Sequence, residues 1–78
     1  MARYYFDIRD EDGTTPDDEG LELRNLQLVQ DEAARSLADM ARDAVRMNAS
    51  NQSMAIQVRD DEGPVMNVRF SFEIERTD

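Results

Sequence analysis

The octet running from Phe6 to Gly13 (FDIRDEDG) returns fifty residues later as Ile56 to Gly63 (IQVRDDEG). Each copy is an alternating strand that runs into an acidic turn. Aspartates support tight turns, and the closing glycine takes a positive φ without steric cost. Two such copies call for two hairpins, with the intervening stretch left to form the one segment of helical periodicity. The echo defines an architecture. It supplies no nucleophile, base or ligand set.

A chain of 78 residues makes one small domain spanning residues 1–78. Such a chain removes only roughly 60% of its unfolded surface from water. It contains no cysteine and no histidine, so disulfides, thiolate metal sites and the commonest general base are excluded. Lysine is absent as well, which removes a Schiff-base amine and a phosphate-loop lysine. Eighteen acids stand against nine arginines, and the net charge of −9 disfavours nucleic acid and anionic membrane as partners. A protein partner with a basic surface fits this charge better. No apolar run approaches the length of a membrane span, and the N-terminus lacks the apolar core of a signal peptide, so the expected location is cytoplasmic.

Along the chain, Tyr4, Phe6 and Ile8 alternate with Arg3, Tyr5, Asp7 and Arg9, as a strand with one face on a core requires. Thr14 to Glu19 reads as an irregular acidic connection, and Gly20 to Arg24 as a short strand with Leu21 and Leu23 inward. Asn25 is a fair N-cap. From about Leu26 to Met47, the residues Val29, Ala33, Leu37, Met40, Ala41, Ala44 and Val45 recur at the steps of a helix stripe. Asp31 and Glu32 are placed in its first turns, with Asp31/Arg35 and Asp39/Arg42 spaced for surface pairs. Asn48 to Ser53 reads as a polar loop, and its Asn48-Ala49-Ser50 acceptor pattern carries no function in a cytoplasmic chain. Met54, Ile56 and Val58 then mark a third strand. The inward set Met66, Val68, Phe70, Phe72 and Ile74, with Val65 outward, marks a fourth that should anchor the core.

These elements predict an α+β fold, a ββαββ two-layer sandwich with one helix on one face of a mainly antiparallel four-stranded sheet. The longest and most apolar strands, the first and fourth, are expected in the middle, which gives the order second, first, fourth, third. One helix does not cover such a sheet, so a second copy is expected to bury the remaining apolar edge in a homodimer.

Two constellations invite a functional reading. Asp10, Asp12 and Gly13 match the third, fifth and sixth places of an EF-hand loop and Glu19 the twelfth, yet Ile8 occupies the first, where a carboxylate is required. Asp10, Asp12 and Glu19 are therefore weak metal candidates, and solvated hairpin turns explain the acids more simply. On the polar sheet face, Arg9, Arg59 and Arg69 are candidates for gripping a carboxylate or phosphate, against the plainer reading that they pair with cross-strand acids. A carboxylate acid/base pair needs a concave pocket that so small a sandwich scarcely provides, so no enzymatic activity and no cofactor are expected.

The segments ARYYFDIRDEDG, DDEGLEL, AARSLADMARDAV, IQVRDDEGPV and FSFEIER together resemble a family of small proteins abundant in rhizobia and other alphaproteobacteria, classed as a domain of unknown function. The resemblance spans nearly the whole chain and implies a compact cytoplasmic ββαββ protein, with no catalytic or binding residues to carry over. The order of strand, acidic turn, D-x-x-G, short strand and alanine-rich helix is also similar to HicB-type antitoxins. This chain departs from them in its full second hairpin and in lacking a DNA-binding segment. The expectation is a small acidic non-enzymatic interaction or regulatory protein; the alternative is a divalent-cation or small-anion binding module.

Overall fold

The computed structural model of the protein describes residues 2–47 and 51–77. In chain order these form β1 (Ala2–Asp10), β2 (Gly13–Thr15), β3 (Leu21–Leu23), α1 (Leu26–Arg46), β4 (Asn51–Asp60) and β5 (Gly63–Glu73). One helix packs on an antiparallel sheet, the α+β arrangement that the alternating strands and the single helical stripe require. The sheet has five strands rather than four, because Gly13–Thr15 folds straight back on Ile8–Asp10 where an irregular connection was expected. β2 and β3 lie along the same edge of β1, β2 on its last residues and β3 on its first.

The repeated octets fold alike. In each hairpin the first aspartate accepts from the amide two residues on, Asp12 N–H to Asp10 Oδ1 at 2.9 Å and Glu62 N–H to Asp60 Oδ1 at 2.8 Å. The closing glycines take φ of +130° and +131°, where a side chain would be strained. Because β1 and β4 run antiparallel, the two acidic tips point away from opposite ends of the sheet.

The strand order corrects the expectation. The path is β2, β1, β4, β5, with β3 beside β1, so the third expected strand sits in the middle and the fourth at the edge. Length and alternation pointed to β5, yet its inward residues Met66, Val68, Phe70 and Phe72 are all only half-buried. β4 anchors the core instead, with Met54, Ile56 and Val58 buried beneath the helix. A strand flanked on both sides gains cover from two neighbours; an edge strand gains it from one. A β-bulge at Val58/Arg59 shifts the register so that Val65, expected outward, also packs against the core. Ile74 lies past the strand and is exposed.

The helix begins where its cap allows. The Asn25 side chain accepts from the Leu28 amide at 2.9 Å, and the buried stripe is Val29, Ala33, Leu37 and Ala41, with Met40 and Ala44 at its margin. Val45 is exposed, since the stripe has rotated off the sheet by the last turn. No acid falls in the first turn, Asp31 instead accepting from Gln27, and Arg35 pairs with Glu32 at 3.3 Å rather than with Asp31. Arg42 does pair with Asp39, at 3.8 Å. Leu23 packs on the core whereas Leu21 is largely exposed. Of the loop expected over 48–53, residues 51–53 belong instead to β4, which begins at Asn51; Asn48-Ala49-Ser50 lies outside the described residues.

Candidate functional site

The helix covers one face of the sheet and leaves the other open. Strand register assembles that open face in cross-strand rows: Tyr5 opposite Arg59, then Asp7, Gln57 and Asn67, then Arg9, Ala55 and Arg69, then Ser53 and Ser71. With Arg3 opposite Glu22, and Glu73 at the far end, the strands present four arginines against three carboxylates here. In a chain of net charge −9, the strand residues of this face carry no excess of acid over base.

One part of the face is locked. Between β2 and β3 the edge of β1 has no strand partner, and Asp17 fills the gap. Its Oδ2 accepts from the Phe6 amide at 3.1 Å, while Oδ1 accepts from the amides of Glu19 at 3.1 Å and Gly20 at 3.2 Å. The Asp17 amide in turn donates to Asp7 Oδ1 at 2.8 Å. Arg59 closes the cluster, giving Nε to Asp7 Oδ2 at 2.8 Å and Nη2 to the Asp17 carbonyl at 3.0 Å. Its guanidinium lies over the Tyr5 ring, 4.5 Å from the centroid. Gly20 is required at this crossing: its φ is +75°, and an added Cβ would meet Arg3 Cγ and Tyr5 Cε2 at 2.9 Å.

The electrostatics follow from these contacts. Burial would raise the pKa of Asp7, but the Arg59 hydrogen bonds, the Asp17 amide and the Arg59 charge outweigh it and hold the carboxyl below its usual value. Burial likewise opposes ionisation of Asp17, and three amides together with Arg59 lower its pKa all the same. The hydrogen bond to Asp7 is the largest influence on Arg59 and raises its pKa further. Both carboxylates are fixed as anions and neither is poised to exchange a proton near neutral pH. This cluster ties the β2–β3 excursion to the sheet. Its signal in the sequence is Asp17-x-x-Gly20, an aspartate three residues ahead of a glycine; residue order marks that spacing within an irregular acidic connection and gives no bonding role for Asp17.

The candidate residues separate accordingly. Arg59 is committed to Asp7 and Asp17. Arg9 and Arg69 instead flank Ala55 on either side, and neither has an ionic partner among the described residues. They line an open groove of about 360 Å³ floored by Ala55, with Ser53, Gln57 and Asn67 around it. Asp10 and Asp12 sit at the β1–β2 tip, whereas Glu19 lies beside Arg3, whose Nη1 donates to the Glu19 carbonyl at 2.7 Å. Arg3 and Asp10 stand seven strand residues apart, on the order of 20 Å, so the structure does not bring the three acids together. Among the described residues, no group of three or more His, Cys, Asp or Glu side chains is placed to hold a metal ion. No described helix is long and apolar enough to cross a membrane.

No match to the chain was found among curated proteins or among solved structures. A family match spans residues 3–71, from the first strand through both hairpins and the helix, and it shows that the chain belongs to the family described as Domain of unknown function (DUF6894).

Proposed function

We propose that this protein is a non-enzymatic interaction protein that works as a pair of copies joined along the free edge of β5. The observation that carries this is the edge itself. β5 runs for 11 residues with a strand neighbour on one side only among the described residues, and its inward row Met66, Val68, Phe70 and Phe72 is left half-exposed by the helix. The rings of Phe70 and Phe72 stack on one another at 6.5 Å, forming a continuous apolar ledge at the rim. Such an edge is a template for another strand.

A second copy suits it. Antiparallel pairing about a two-fold axis sets the apolar row against itself and keeps both helices on one side. On the other face, β5 carries Arg69 and Glu73, one charge of each sign, so this strand does not repel its own copy as the acidic tips would. The rest of the surface holds the excess negative charge, which steers the paired molecule towards basic macromolecules.

Phe72 provides the test, because it is not part of the packed core. Light scattering of the wild type is expected to give twice the chain mass of 9.0 kDa at micromolar concentration. Phe72→Lys places an inward charge at the edge and is expected to give the single-chain mass with an unchanged helical signal. A wild type that remains at single-chain mass as concentration rises contradicts the proposal.

A further inference from the structure

We infer that the groove between Arg9 and Arg69 is a binding site for a small oxyanion with a single carboxylate or phosphate head. Of the four arginines on the open face, two have carboxylate partners: Arg3 with Glu22 at 2.9 Å and Arg59 with Asp7 at 2.8 Å. Among the described residues the other two have none. Arg9 and Arg69 stand in one cross-strand row with only Ala55 between them, where sheet packing alone would favour an acid opposite a base. Ala55 points away from the helix, yet it is only 9% exposed, so the cover over it comes from neighbours on the open face. Its methyl group makes a floor, and the rows on either side add the amides of Gln57 and Asn67 and the hydroxyl of Ser53.

The donor set matches one kind of ligand. Two guanidinium forks approaching from opposite strands can each present paired N–H groups to one oxyanion, and charge-assisted bonds of this kind are the stronger ones. Asp10 and Glu11 wall the hairpin end of the groove. They repel a second negative group there, which selects a single-headed anion over a polyanion such as nucleic acid. This site is independent of the paired state, because strand addition at the edge of β5 leaves the open face uncovered.

Calorimetric titration of the full chain at low ionic strength, with inorganic phosphate and separately with acetate, tests the inference. One-to-one binding is expected for at least one of them, and the arm that responds names the head group. Arg9 and Arg69 are exposed, so Arg9→Gln and Arg69→Gln should leave the fold intact. Each is expected to weaken binding by about tenfold, the loss of one charged hydrogen-bonding partner. The double variant should not bind, and Arg42→Gln on the helix should bind as the wild type does. Absence of heat with both anions at millimolar concentration would overturn the inference. So would undiminished binding by the double variant.

Discussion

Removing the Asp17 carboxylate by an Asp17→Ala substitution leaves the amides of Phe6, Glu19 and Gly20 without their acceptor and takes a negative charge away from beside Arg59. The expected cost is about 1–3 kcal/mol, read as a lower denaturant midpoint at neutral pH. The pH dependence has a definite sign. The folded pKa values of Asp7 and Asp17 are depressed, so the stability they contribute is complete above the unfolded carboxylate values, about pH 4. It is lost as pH falls through their lower folded values. The gap in stability between wild type and Asp17→Ala should therefore be widest at neutral pH and narrow in acid; a gap that widens below pH 4 would refute the role given to this carboxylate. None of this network could be read from residue order alone. Its contacts join Asp17 to Phe6 eleven residues back and to Arg59 forty-two residues on. Only the Asp17-x-x-Gly20 spacing hinted that the loop was built.

At the scale of elements, the parts that were legible are those that local chemistry decides. Asn25, itself extended, caps the helix with its side chain, the apolar stripe fixes which side is buried, and each Asp-x-x-Gly tip closes a two-residue turn. Asn25→Ala should lower the melting temperature, with a loss of about 1 kcal/mol, because the Leu28 amide loses its acceptor. An unchanged melting temperature would mean that helix packing alone sets this boundary. Strand order was not legible, for a physical reason. Alternation shows which side of a strand faces the core, but burial depends on how many neighbours the strand has. β5 alternates over a longer stretch than β4 and is nevertheless the edge. The short β2 was missed because Gly13-Thr14-Thr15 carries no apolar residue to mark a buried face. On the open face, sequence alone grouped Arg9, Arg59 and Arg69; pairing register divides them, giving Arg59 to Asp7 and leaving the other two across Ala55.

Considered as a whole, the molecule is a one-sided sandwich reaching 52 Å in its longest dimension, with acidic tips at opposite ends of its sheet and a charge-balanced open face. Like charge concentrated on so small a body opposes folding, and salt screens it. The melting temperature should rise between low and physiological ionic strength; a flat or falling curve would show that the ion pairs around Asp7 and Glu22 outweigh the repulsion. The central claim concerns the free side of β5. A lone edge strand directs alternate amides into solvent, whereas a strand paired on both sides protects them all. Amide hydrogen exchange along Val65 to Glu73 tests this most directly. The account predicts protection at consecutive positions in the wild type, and loss of protection at every second one in Phe72→Lys. Alternate amides exchanging freely in the wild type, even at high protein concentration, would contradict it.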